Sequence, residues 1–417
     1  MSRAGYRFSR GILNTISPPI PQAHHWASCY KATADRPLLD MSQGVPGLSP
    51  PLSVQKALGE AASSPSSFGY ALPFGEDSLR EALALDMKHA YGPDADIAAA
   101  DIALTSGCNL AFVAAIMTVA DAGDEVVLTV PWYFNHQMLL SMLNMHMVVL
   151  QTRPEDGFMP SIARCRELIT NRTKAVALVT PNNPTGAIYS PALIAEFAAL
   201  AHEKGVALIL DETYRDFITT GEPPHNLFST SLSPVYWRST LIHLYSFSKS
   251  YCLPGHRLGA IVAAPEMLEH LKGVLDTVQI CAPRPIQLAL APLIPELRPF
   301  IKEMALAIKS RHDLFRRSLP SAWMIGAQGG YYAFVKHPFK DVTASQVCER
   351  LAKEMGVVTL PSAFFCEGKA SDGTKVAESE EASKWIRFSV ANISDKQVIR
   401  VCERLKESET LLGWSLE

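Results

Sequence analysis

From about residue 50 to 265 the chain alternates short β-rich runs with amphipathic segments of helix length. That alternation admits few folds, because parallel strands need a helical crossover to become neighbours. The expected strands are "DIALTS", "DEVVLTV", "MHMVVLQ", "TKAVALVT", "GVALILD", "TLIHLYS" and "LGAIVAA". Between them lie helix candidates such as "SLREALALDMKHAYG", "NLAFVAAIMTVADAG" and "PALIAEFAALAHEKG", the last closing on Lys204 and Gly205 as a helix end should. Beyond about 290 the texture changes. "ELRPFIKEMALAIKSRHDLFRRSL" reads as a long helix, and strand-like "GGYYAFV" and "WIRFSVA" mix with helices "ASQVCERLAKEMG" and "DKQVIRVCERLKESETLL". The fold class is therefore α/β, a large domain with a mostly parallel sheet covered by helices plus a smaller α+β domain. The expected boundaries are 1–45 for an N-terminal arm and part of the small domain, 46–290 for the large domain and 291–417 for the small one. The polar segment "CEGKASDGTKVAESEEASK" reads as a mobile surface loop.

Composition removes several classes of function. At 417 residues and 48% hydrophobic the chain can bury a large core, as a soluble globular protein does. Its 38 basic and 41 acidic residues form no long run of one sign, so nothing asks for nucleic acid. Eight scattered cysteines include no C-x-x-C pair, so neither a metal site nor a disulfide framework is expected. No apolar stretch reaches the roughly 18 residues of a membrane span, since "LAFVAAIMTVADAG" is cut short by Asp121. The first 34 residues carry Arg3, Arg7 and Arg10 but no acid, the composition of a mitochondrial leader. "SPPIPQAHHW" breaks any helix there, so a plain arm on a cytoplasmic protein is the expectation and mitochondrial import the alternative.

Four loops follow apolar strand runs, where open α/β sheets collect their ligands. "TSGCNLAF" is a small-residue turn, Gly107–Cys108–Asn109, leading into a helix whose first amides suit a phosphate; a bare helix start is the plainer alternative. In "VTPNNPTGAIY", Pro181 and Pro184 stiffen the backbone and Gly186 permits a tight turn, which presents Asn183 rigidly. In "GVALILDETYRDF", Asp211 ends an apolar strand, where a carboxylate is costly unless a cation meets it or it caps the next turn. In "YSFSKSYCLPGHRLG", Lys249 sits among serines and aromatics with Arg257 eight residues on. Burial beside that arginine would lower its pKa toward a nucleophile's range; a surface lysine is the alternative. An anion cradle, a carboxylate awaiting a cation, a polar pair and a reactive lysine together describe the partners of pyridoxal 5'-phosphate.

The motifs "PNNPTG", "DETYRDF" and "SFSKSYCLPGHRLG", in this order, resemble the class I/II aminotransferases, pyridoxal-phosphate enzymes of fold type I. The resemblance runs from "SQGVPG" to "WIRFSVAN". It implies that Lys249 is the Schiff-base lysine and Asp211 the partner of the ring nitrogen. Asn183 and Tyr214 match the pair on the ring oxygen, while Ser246 and Arg257 match phosphate ligands beside Gly107, Cys108 and Asn109. Tyr133 in "VPWYFNH" matches the aromatic stacked on the cofactor face, with Trp132 as the second candidate. Arg387 matches the clamp on the substrate α-carboxylate, and Gly44 a backbone position near it. Tyr70 in "FGYALPFGEDSLREAL" matches a tyrosine that reaches the other subunit's phosphate, which implies a homodimer with composite sites. Ser362 in "LPSAFF" stands where the family usually has glycine, and Cys108 where a small or hydroxyl residue is commoner; both bear on pocket shape.

The implied activity is transamination between an α-amino acid and an α-keto acid. The same constellation also serves β- or γ-elimination and replacement, as in relatives resembling aminocyclopropane-carboxylate synthase. A ligand sensor without catalysis would carry a DNA-binding extension, and this chain has only a short arm before the shared region. Trp26, Tyr70, Trp132, Arg284 and Phe364 are candidates to line the side-chain pocket, with Arg284 either meeting a second carboxylate or forming an interface salt bridge.

Overall fold

The structure, a computed structural model, describes residues 5–369, 375–376 and 379–417. All seven expected runs are strands of one sheet: β1 Ile102–Thr105, β2 Glu125–Val130, β3 His146–Gln151, β4 Thr173–Val179, β5 Ala207–Asp211, β6 Leu241–Ser246 and β7 Gly259–Val262. Their order is β1-β7-β6-β5-β4-β2-β3. Neighbours from β6 to β3 run parallel, and β7 runs antiparallel to both β6 and β1. Helices Asp77–Tyr91 and Pro191–Lys204 pack with Val127, Val176 and Leu208 on one face. Helices Cys108–Val119 and Pro265–Gln279 pack with Val126, Ala175 and Ile209 on the other. Both faces being covered, the strands are apolar at consecutive positions rather than at alternate ones.

The second unit is built on four antiparallel strands, β8 Met324–Gly329, β9 Tyr332–Lys336, β10 Leu360–Pro361 and β11 Trp385–Ser389, in the order β10-β11-β9-β8. The N-terminal arm belongs to it. Leu39–Asp40 pairs in parallel with Val357–Val358, and Ala23, Trp26, Leu39 and Met41 lie in the same core as Phe315 and Val357. The prolines of "SPPIPQAHHW" start a helix rather than end one: Ile20–Ser28 has Pro21 in its first turn, where a proline forfeits no hydrogen bond. The helix Ile294–Ser318 joins the units, giving Ile294, Leu297 and Ile301 to the large core and Met304, Ile308 and Phe315 to the smaller one. The run expected to be one helix at 344–356 is α-helical only to Arg350 and closes as a π turn, Leu351–Met355.

The polar segment at 366–384 holds a short antiparallel pair, Gly368–Lys369 with Lys375–Val376; residues 370–374 and 377–378 of that expected loop lie outside the described residues. Among the described residues no helix is long and apolar enough to cross a membrane.

Arg404 ties the arm to the smaller core. Its guanidinium donates to the carbonyl oxygens of Pro37 (2.8 Å), Met355 (3.0 Å) and Gly356 (3.1 Å). Arg404→Met strands these acceptors, and urea denaturation is expected to show a loss of about 1–3 kcal/mol. An unchanged midpoint would mean that water replaces the guanidinium without cost.

Candidate active site

The carboxyl ends of β1, β4, β5 and β6 share one edge of the large sheet, and Gly259, opening β7, pairs there with Thr105 and Ser246. Against this edge lies a cavity of about 250 Å³. Gly44, Cys108, Asn109, Tyr133, Asn183, Asp211, Tyr214, Ser246, Lys249, Arg257 and Arg387 all line it. Gly107 shapes the turn behind Cys108 and is not in the wall, while Tyr70 stands outside at 77% exposure.

One end of the cavity brings a guanidinium and free backbone N–H groups together. Helix Cys108–Val119 opens there with Gly107 as its N-cap, so the first amides have no carbonyl behind them within the helix. Gly107 has φ +90°, and a Cβ on it would lie 2.1 Å from the Arg257 guanidinium, so only glycine lets that cation close over the turn. A Cβ at Gly259 would lie 2.6 Å from the Cys108 nitrogen, so the strand beneath must also be bare. Ser246 caps the one-turn helix Phe247–Ser250 by accepting from the Ser248 amide at 3.3 Å, and both serines face the cavity.

Asp211 occupies the middle. Its Oδ1 accepts from the Thr213 hydroxyl at 2.7 Å and amide at 3.0 Å, and its Oδ2 lies 3.5 Å from His136 Nε2. Burial pushes the carboxyl up, but His136 and Thr213 outweigh it and hold Asp211 below the usual carboxylate value. His136 is itself fixed by stacking on Phe112, with ring centroids 3.7 Å apart. The Cys108 Sγ lies 3.8 Å from Asp211 Oδ1, and burial followed by the Asp211 charge keeps this thiol protonated.

Lys249 projects from the one-turn helix and donates to the Gly44 carbonyl. Its pKa is lowered to about 8, by burial first, then by Arg387 and Arg257, with Asp211 pulling the other way. The sequence pointed to Arg257 for this effect; Arg387, far along the chain, is the larger of the two charges.

Arg387 lies on β11, between β9 and β10, so backbone pairing fixes it on both sides. Its guanidinium sits between the rings of Tyr332 (4.6 Å) and Phe365 (4.9 Å) and donates to Asn183 Oδ1 at 2.8 Å and to the Ser42 carbonyl. Its buried Nε has no partner among the described residues, a donor left for something else. Asn183 is free for this contact because Asn182 builds the turn, accepting from the Thr185 amide (3.1 Å) and hydroxyl (2.9 Å).

Other expectations land differently. Trp132 turns away into a buried cluster with Val130 and Cys366. Trp26 stacks on Phe364 at 6.0 Å, and neither ring reaches the cavity. Arg284 is paired with Glu76 of its own chain at 2.8 Å, and Ser362 is buried away from the wall. Ile20, Gln43, Val45, Phe134, Thr213, Ser248 and Tyr332 line the cavity without having been singled out, and His136 stands behind Asp211. His136 was within reach, three residues after Tyr133 on the first turn of a helix.

The family description aminotransferase class I and II matches residues 36–405. The chain belongs to that family and is an aminotransferase. Aspartate aminotransferase of Sulfurisphaera tokodaii is 26% identical over 308 residues, 71% of this chain and 74% of its own. Aromatic-amino-acid aminotransferase 2 of Thermococcus litoralis is 26% identical over 351 residues, 81% of this chain and 88% of its own. N-succinyldiaminopimelate aminotransferase from Mycobacterium tuberculosis shares the fold, with a TM-score of 0.84 at 20% identity over 96% of this chain and 100% of that one. The two relatives named for aspartate and for aromatic amino acids are thus equally distant in sequence.

The lowered Lys249 pKa makes a stability prediction. Below about 8 the amine is charged in folded and unfolded chains alike, and the fold bears the cost of burying it. From about 8 to the ordinary 10.5 the folded chain releases its proton first, so this group adds stability as pH rises through that window. Lys249→Met lacks this gain. Thermal melts of ligand-free protein are expected to show wild type rising relative to the variant across that range; a constant gap would mean a solvated amine.

Proposed function

We propose that this chain transfers amino groups between α-amino and α-keto acids using pyridoxal 5'-phosphate, with Lys249 as the covalent anchor and proton carrier. The observation that carries this is charge: Lys249, Arg257 and Arg387 surround one small cavity, with Asp211 the only carboxylate among the described residues of its wall. The residues fit the cofactor. Arg257, Ser246, Ser248 and the Gly107–Cys108–Asn109 turn would take its phosphate, Asp211 its pyridine nitrogen, Tyr214 and Asn183 its ring oxygen, and Tyr133 its face. When bound, the cofactor supplies an aldehyde for an amine and a protonated ring that draws electrons away from a substrate Cα.

The chain does the rest. Asp211, held ionised by His136 and Thr213, keeps a positive charge on whatever nitrogen faces it. Arg387 presents a guanidinium locked between two rings, so a carboxylate docks without loss of side-chain freedom. Lys249 Nζ, with its depressed pKa, is neutral often enough near neutral pH to take a proton from the substrate Cα. Tyr70, exposed and outside its own cavity, supports a homodimer in which it completes the partner's site; Phe68 and Leu72 beside it are exposed too, at 75% and 52%. The division into arm, large and small domains, and residence in the cytoplasm, belong to the same proposal.

Purified protein given pyridoxal phosphate is expected to turn yellow, and borohydride to fix the cofactor on the peptide holding Lys249. Lys249→Ala should do neither. An amino acid offered with a keto acid should yield the second amino acid; release of a leaving group from the substrate instead would favour elimination. Arg387→Lys keeps the charge and loses the fork, so kcat/KM should fall roughly 10²-fold, as for losing one or two hydrogen bonds to a charged group. Lys249→Ala mixed with Tyr70→Ala should regain activity if sites are shared between subunits.

A further inference from the structure

Tyr332 enters the reading above only as a ring against Arg387, and its hydroxyl has no part in it, yet two motifs are shaped around this residue. A Cβ at Gly44 would lie 1.8 Å from its hydroxyl oxygen, and a Cβ at Gly186 would lie 2.3 Å from its backbone oxygen. The "SQGVPG" and "PNNPTG" segments therefore both need a glycine where they meet this residue. Tyr332 is buried, with its ring beneath the Arg387 guanidinium and its hydroxyl 2.6 Å from that of Tyr214.

Two phenols in contact share one hydrogen bond, and only one of them donates it. Burial keeps both protonated at neutral pH, Tyr214 the more strongly; Arg387 works against burial at both, with more weight at Tyr332, over whose ring it lies. The cation makes Tyr332 the better donor, which leaves the Tyr214 proton to be turned into the cavity. A phenol that accepts a hydrogen bond donates a stronger one.

We propose that Tyr332 is a positioning residue: its hydroxyl donates to Tyr214, aims the Tyr214 proton at the ring oxygen of the cofactor, and so sets the proton affinity of the loaded site. The proposal rests on pyridoxal phosphate occupying the cavity. A hydrogen bond to the ring oxygen disperses its negative charge, which otherwise holds a proton on the neighbouring nitrogen. Weakening that bond raises the pH at which the proton leaves.

The test is the pH titration of the visible absorption band of loaded protein, for wild type, Tyr332→Phe, Tyr214→Phe and the double variant. Tyr332→Phe is expected to move the midpoint upward by about half a unit, the scale of one cooperative hydrogen bond. Adding it to Tyr214→Phe should move the midpoint no further, since the effect passes through that hydroxyl. An unmoved midpoint in Tyr332→Phe overturns the proposal, as does an equal shift in both backgrounds. If wild type shows no visible band with the cofactor, the reading of the site fails instead, and the two failures are distinct. Should Tyr332→Phe not fold, Gly44→Ala, which displaces the Tyr332 hydroxyl, is expected to give the same upward shift, and no shift there overturns the proposal.

Discussion

Among the described residues, three cations and one carboxylate share a cavity of about 250 Å³, and that imbalance shapes the rest of the site. Like charges in a poorly hydrated space repel strongly, so the protein must shed a proton or admit anions. Both remedies are built in. Lys249 is the only one of the three cations that can give up its proton at an accessible pH, and burial first, then the two arginines, lower its pKa to about 8. The two arginine guanidiniums face the cavity, where the proposed reading gives them a phosphate and a carboxylate to bind. A neutral amine and two unpaired cations thus stand together because burial and charge act on the same small space.

Holding the lysine in that field takes structure behind it. Ser250, next to Lys249, donates to Asp216 at 2.6 Å, and Tyr245 donates to the same oxygen at 2.9 Å. Arg298 meets Asp216 at 2.7 Å and also binds Asp86, which Arg215 reaches at 3.0 Å. Two guanidiniums and two carboxylates balance in charge beneath the lysine-bearing turn, with Arg215 Nε left without a hydrogen-bond partner among the described residues. A buried network of this kind does little for net stability, but it fixes one arrangement of the chain.

Much of this was legible in the sequence. The seven strands could be read because a sheet covered on both faces needs consecutive apolar residues, and little else gives such runs. The four loops could be read because a polar or charged side chain at the end of such a run demands a partner. What escaped depends on pairing across the chain. Tyr331 and Tyr332 are adjacent and both pack their rings against Tyr214, and nothing local tells which of the two hydroxyls bonds it. Trp132 and Tyr133 posed the same choice, and only Tyr133 reached the cavity. Arg284 could be read as meeting a second carboxylate or forming an interface salt bridge, because Glu76, its partner in its own chain, lies 208 residues away. The arm's prolines were read as breakers because position within a helix, not identity, decides what a proline does.

The helix Ile294–Ser318 enters both cores as one continuous rod, interrupted only by Pro299. A proline there removes one rung of the backbone ladder and makes the neighbouring turn the softest point of the rod. Arg298, the residue before it, is clamped to Asp86 and Asp216. Any swing of the C-terminal half therefore pivots beside those ion pairs, and the fulcrum is bolted to the floor on which the reactive amine stands.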